Sequence, residues 1–400
     1  MKKLSSNLFK KFEDSKLTNL TACVGGAWYN SKMADNSCDR YNPETGRTQG
    51  YAVSERLEHL MPVSGDTRNV RLRTFRVNNV LFLSRTWTSV IALLALTNMG
   101  RAQSPQDLSD GVRKAFEFSV LEAKATIALK DRSFNLAHDY YGQALKVGNA
   151  WDSYTLISAS LAAYKTGEPG EAWSVLSRAI ASGATWGDIE EKVFEVDSLA
   201  IGHFTTAYKA IAPAAITEFA HSVDFESYTV IRDIFTADQC IRNVPHKAVR
   251  DTAFLKYMGM QDSVRFIQLI ALVEIKGWPT FERIGNMNSL LPLLLLHNIG
   301  VPYATDAHWA ILRAAISKEV VNGKEDGFVL ALLEDNLLRR SEQPQRFGTS
   351  SDGWDSTPTY YAIDSCGTID ERRRKIGMIP LALDAQKRGL LLPSCYGKTK

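Results

Sequence analysis

A chain of 400 residues, 45% hydrophobic, 23% charged and 10% aromatic, has ample material for a buried core and room for two or three domains. That composition excludes wholesale disorder, a collagen-like chain and a disulfide-rich miniprotein. A net charge of +3, from 47 basic and 44 acidic residues, gives no global reason to expect nucleic acid or an anionic membrane as a partner. The five cysteines, Cys23, Cys38, Cys240, Cys366 and Cys395, form no CxxC pair, so neither a zinc knuckle nor a thioredoxin motif is available. No metal or cofactor is expected.

The first segment places Leu4, Leu8, Phe9, Phe12, Leu17 and Leu20 at helix-like spacing ahead of Val24-Gly25-Gly26. An amphipathic helix of this kind docks a processing protein, and paired glycines let an extended backbone enter a narrow protease cleft. The pattern resembles the double-glycine leader of bacterial ribosomally made peptide precursors. That resemblance implies cleavage at Gly25-Gly26 and a short core peptide from Ala27 to about Met61, whose stretch Tyr41-Asn42-Pro43-Glu44-Thr45-Gly46-Arg47 is polar and turn-rich. A plain polar extension is the alternative reading.

Next, Arg71, Arg73, Arg76 and Arg85 precede an uncharged run over 86–100 that contains Trp87, Val90, Ile91, Leu93, Leu94 and Leu96. The run is too short to span a bilayer comfortably, so no stable transmembrane span is expected. It ends in Gly100-Arg101-Ala102 before Gln103-Ser104-Pro105, the order of a secretory signal peptide with its cut between Ala102 and Gln103. Export to the periplasm or medium of a bacterium is the expectation; a buried helix of a cytoplasmic protein is the alternative. Translation from Met61 would place the basic residues close behind an initiator. Four segments follow from this reading: a mostly disordered leader-like extension over 1–70, a signal-like segment over 71–102, a helical repeat over 103–224 and a C-terminal helical domain over 225–400.

Between Asp110 and about Ile211 the apolar residues recur at helical spacing. Ala137, Tyr141, Ala144, Leu145, Gly148 and Trp151 are matched by Ala172, Leu176, Ala179, Ile180, Gly183 and Trp186, each thirty-five residues later. Small residues at the matched positions let helices pack closely. The period resembles tetratricopeptide helix pairs, which implies a short solenoid with a groove for a protein or peptide partner. A helix over 153–164 and a turn at Thr166-Gly167-Glu168-Pro169-Gly170 belong to the second unit, and Trp151 and Trp186, aromatics at a repeat boundary, read first as packing residues and second as groove contacts. Too few repeats are visible for the array to stand alone, so the rest of the chain is expected to cover its open end.

Beyond Phe225, helices are expected over 231–243, 261–276, 309–321 and 328–338, with the apolar stretch 290–296 as a core helix despite Pro292. Gly277-Trp278-Pro279 reads as a left-handed cap followed by a helix stop. Asp238 and Arg242 share a helix face and can pair. The ordered set Asp238-Gln239 with Arg242, Gly277-Trp278-Pro279, Gly285, His297, Gln345 with Gly348-Thr349, and Asp370 with Arg372, Arg373 and Gly377 resembles a bacterial domain family of unknown function found behind helical repeats in secreted proteins. Ser350, Leu296 and Asn298 depart from that family's usual residues.

The side chains suggest chemistry that the family does not. His297 would act as acid or base, with Asp238 as its orienting carboxylate and Arg242 beside them, while Gln239, Trp278, Gln345, Thr349 and Arg373 would contact substrate. Convergence of this set suits hydrolysis or transfer on a small anionic or glycan-like substrate. The competing reading makes His297 a core or capping residue, Asp238 and Arg242 a structural pair, Trp278 a packing anchor and Arg373 the single inward arginine of a solvated basic run. HExxH, GxSxG and a phosphate-binding glycine loop are all missing from the sequence. An all-α protein is therefore expected, a short solenoid followed by a helical domain with a loop-rich end. Binding or scaffolding is its expected role, an enzyme is the second, and a fused peptide precursor is the third.

Overall fold

The computed structural model describes residues 40–42, 47–49, 108–148, 152–242, 252–298, 304–352 and 358–397. The positions Gly25, Gly26, Ala102 and Gln103, and Trp151, lie outside the described residues. Within the polar, turn-rich stretch, Arg40–Asn42 (β1) pairs antiparallel with Arg47–Gln49 (β2), Tyr41 opposite Thr48.

From Asp110 onward the fold is all-α, and its first part is built from helices packed in successive pairs. Asp110–Lys130 (α1) packs on Phe134–Val147 (α2), Ser153–Lys165 (α3) on Pro169–Ala181 (α4), and Trp186–Asp197 (α5) on Ile201–Ser222 (α6). The starts follow from the sequence. Asp152 accepts the Thr155 N–H at 2.7 Å, and Thr185 with Asp188 forms a capping box at the head of α5. Pro169 occupies the first turn of α4, so the connection is confined to Thr166–Glu168 and is shorter than the five-residue turn expected. Gly167, at φ 85°, supplies its left-handed residue.

Most of the matched positions line the first core. Ala137, Tyr141 and Ala144 on α2 and Ala172, Leu176 and Ala179 on α4 are all buried, and α2 and α4 begin thirty-five residues apart. Tyr164, Trp173 and Phe204 bind α3, α4 and α6 together, with ring centroids 5.1 to 5.6 Å apart and Phe204 edge-on to the other two rings. The glycine match does not extend to conformation: Gly183 is left-handed at φ 94°, whereas Gly148 is extended.

A second core lies in Phe225–Arg242 (α7), Thr252–Lys276 (α8), Phe281–Ile284 (α9), Leu291–Asn298 (α10), Asp306–Val321 (α11) and Gly327–Arg340 (α12). The expected core helix is α10, in which Leu291, Leu294 and Leu295 are buried and Pro292 sits in the first turn, where no helical N–H is lost. Gly277 ends α8 at φ 77°. The loop-rich end holds the short pair Ser351–Asp352 (β3) and Thr359–Tyr360 (β4), then Ile369–Arg374 (α13) and Leu381–Arg388 (α14) around Tyr360, Ile369, Leu381 and Ala385. A disulfide joins Cys366 to Cys395 across a Cα separation of 5.8 Å, a link the cysteine spacing did not reveal.

All these helices belong to one compact unit. The first core ends at Ala215 and the second begins at Ile231, on either side of three joints. The Asn286 N–H donates to the Ser182 carbonyl at 2.8 Å, beside Gly285 at φ 56°, where a Cβ would lie 2.4 Å from the Ser182 oxygen. Asp224 receives Arg283 at 2.8 Å and Lys276 at 3.3 Å; burial alone would raise its carboxyl, but these partners and Ser227 hold it well below the usual range. Finally, Lys387 of α14 meets Glu122 of α1 at 2.5 Å.

Glu325, 1% exposed ahead of α12, makes no ion pair among the described residues. It accepts the Trp278 indole N–H at 2.5 Å, the Asn288 amide at 2.8 Å and the Asp326 N–H at 3.0 Å, and burial pushes its carboxyl from 4.5 up to about 7. Because the folded pKa lies above the unfolded one, the stability this group contributes is full below about pH 4.5 and is lost as pH rises to about 7. Thermal melts across that window should show a loss of up to about 3 kcal/mol in wild type. Glu325→Gln should flatten that part of the slope; an unchanged slope would contradict the assignment.

Candidate functional site

Four predicted residues converge where α7, α8 and α10 meet. Asp238 lies on the buried side of α7 and is 1% exposed. One helical turn on, Arg242 Nη1 donates to Asp238 Oδ1 at 2.5 Å. Gln239 Nε2 donates to Asp238 Oδ2 at 2.9 Å, and His297 Nδ1, in the last turn of α10, lies 2.7 Å from the same oxygen. An ionised carboxylate only accepts, so the Nδ1 facing Asp238 carries a proton. Nε2 has no hydrogen-bond partner among the described residues, and the imidazole is only half-buried.

Two further members went unforeseen. Asp262 on α8 receives Arg242 with both oxygens, at 2.8 and 3.1 Å, and Arg265 reaches Asp262 at 3.4 Å. Burial draws the Arg265 guanidinium below its ordinary value, opposed by the charges of Asp262 and Asp238. A signal for both existed: Asp262 and Arg265 stand three residues apart on the face of α8 that also buries Phe266 and Leu269. With two carboxylates against two guanidiniums the network is balanced, and Arg242 spends its fork on protein carboxylates. Arg242 is therefore not free to capture an anion, and the ring nitrogen that the network leaves without a partner among the described residues is His297 Nε2.

The remaining candidates are held elsewhere. Trp278 is in the second core, bound to Glu325. Gln345 ties its own loop, donating to the Ser350 carbonyl at 2.9 Å and accepting the Ser350 N–H at 2.7 Å. Thr349 donates Oγ1 and N–H to Asp335, which also accepts the N–H groups of Arg346 and Phe347, all between 2.7 and 2.9 Å. Arg373, 1% exposed, donates to the carbonyls of Ile379 at 2.6 Å and Phe347 at 2.7 Å and faces Asp384 at 3.4 Å. These residues shape the loop-rich end, and no hydrogen bond or ion pair among the described residues links them to Asp238 or His297. Asp335, inside the apolar run of α12, was the unread signal for this cage.

The helical repeat carries a separate feature. A cleft of about 330 Å³ opens where the turn between α1 and α2, the end of α3 and the end of α5 meet, lined by Arg132, Phe134, Lys165, Phe194, Asp197 and Leu199. Phe194 is 65% and Leu199 88% exposed, large apolar side chains presented to solvent. Lys165 pairs with Asp197 at 2.7 Å and lies 5.0 Å over the Phe134 ring, whereas Arg132 makes no ion pair among the described residues. Trp186 packs on Tyr208 at 5.4 Å, the first of its two expected roles.

Among the described residues no cluster of three or more His, Cys, Asp or Glu is placed to hold a metal ion, and no helix is long and apolar enough to cross a membrane. Removing the Asp238 carboxylate leaves Arg242 and Arg265 against Asp262 alone, one positive charge in excess. Asp238→Asn should therefore lower unfolding free energy in urea by about 3 kcal/mol. His297→Gln, at a side chain 22% exposed whose loss strands no charge, should cost less than about 1 kcal/mol; equal losses would contradict this hierarchy. Comparisons with protein-family models, curated proteins and solved structures returned no match, so the reading of this chain rests on its geometry.

Proposed function

We propose that this chain is an exported bacterial helical-repeat protein that binds a protein or peptide partner through the edge cleft of its repeat. The observation that carries this reading is the pair Phe194 and Leu199, exposed beside a cleft whose rim holds Arg132, which makes no ion pair among the described residues. A fitting segment offers an apolar side chain for Phe194 and Leu199 and a neighbouring carboxylate for Arg132. Selection of displayed random peptides on the full chain should enrich that pairing, and Phe194→Asp with Leu199→Asp should weaken the enriched peptides at least about ten-fold without changing the melting temperature. Enrichment that ignores both substitutions would contradict the assignment.

Export is motivated by the signal-like segment over 71–102 and supported by the Cys366–Cys395 disulfide, a bond that persists in oxidising compartments. N-terminal sequencing of the native protein should find Gln103 first, in an envelope or medium fraction. A full-length cytoplasmic chain would overturn export, and a cut after Gly26 would instead favour the peptide-precursor reading.

The Asp238–His297 pair favours a second reading, a hydrolase or transferase acting on a small anionic or glycan-like substrate. With Nδ1 fixed on Asp238, Nε2 takes a proton from an attacking water or hydroxyl and returns it to the leaving group, while Asp238 stabilises the imidazolium between the two steps.

A further inference from the structure

α8 is apolar on two faces. Phe266, Leu269, Ile270 and Val273 turn into the second core, while Met260, Val264, Ile267, Ala271 and Ile275 form a stripe on the opposite, exposed face. Steps of four, three, four and four residues keep these five in line over about 22 Å, and Ile275 is 81% exposed. A helix that needs one apolar face to join its own core has no folding reason for a second. Lys256 and Glu274 stand on one edge of the stripe, five helical turns apart, and neither makes an ion pair among the described residues.

We propose that α8 is a self-association surface, on which a second copy of this chain lays its own α8 antiparallel about a two-fold axis level with Arg265. Three matches on the page select this occupant and direction. First, the axis brings Lys256 of each copy to the height and edge of Glu274 of the second copy, so both unpaired charges are matched twice. Second, Met260 then faces Ala271 and Val264 faces Ile267, large against small at the ends and medium against medium at the centre. Third, a parallel arrangement would keep Lys256 at one end of the seam and Glu274 at the other, so neither charge would meet its opposite. The surface is self-complementary, as an isologous two-fold contact requires. A single helix pair is a small interface, so the dimer is in exchange with monomer rather than permanent.

Sedimentation equilibrium on the full chain tests this. Wild type should show a concentration-dependent monomer–dimer equilibrium, and Val264→Glu should remain monomeric. Lys256→Glu should weaken the dimer about ten-fold at low salt. The double reversal Lys256→Glu with Glu274→Lys should restore wild-type association. Circular dichroism should be unchanged in each, because all three positions are exposed, and the charge pair alone carries the test if Val264→Glu misfolds. A monomer at every concentration overturns the proposal, as that stripe would then serve another segment or another protein. A dimer indifferent to charge reversal, or one the double reversal does not restore, overturns it as well.

Discussion

A stack of helix pairs always leaves its last apolar face uncovered, and the rest of this structure follows from how that face is closed. Each pair from α1 to α6 buries one side on its neighbour, which works within the array and fails at its end. The following residues supply the closure: Phe219 of α6 meets Tyr228 of α7 edge-on at 5.7 Å, and Gly285 brings its backbone against Ser182. On the other flank α14 returns to α1, where Lys387 and Glu122 pair. The C-terminal region is therefore part of the repeat's packing, which is why helices from Asp110 onward form one compact unit.

Burying so much of the repeat's surface leaves few places for a partner, and those places differ in kind. At the edge formed by α1, α3 and α5, helix ends diverge and leave Phe194 and Leu199 to solvent. In the second core, polar groups were buried with their partners: Asp238 collects Arg242, Gln239 and His297, and Asp335 collects four donors from one loop. Networks so fully satisfied hold side chains in one orientation, since breaking any member strands a buried charge. His297 gains most from this, because its ring is fixed by Asp238 while Nε2 stays open.

Much of the architecture was legible because it repeats. The thirty-five-residue match of Ala137, Tyr141 and Ala144 with Ala172, Leu176 and Ala179 marked six positions that are all buried, five of them in the first core. Short-range pairing was legible too, as with Asp238 and Arg242 on one helix turn. Convergence across long separations was not: nothing in one dimension says that His297 comes to Asp238, that Asp262 completes the pair, or that Gln345, Thr349 and Arg373 go to a different cluster. Those three were grouped with His297 by residue type alone, whereas loop closure around Asp335 decided their place. The cleft was invisible for the same reason, since Arg132, Lys165 and Leu199 meet only after three helices have packed.

Hydrogen–deuterium exchange of the full chain, free and saturated with a selected peptide, addresses the central claim most directly. The account predicts slower exchange at the turn between α1 and α2 and at the end of α5, with α7 and α10 unchanged. Protection confined to α7 and α10 around Asp238 and His297, or none at the repeat edge, would contradict it and move the binding function to the C-terminal region.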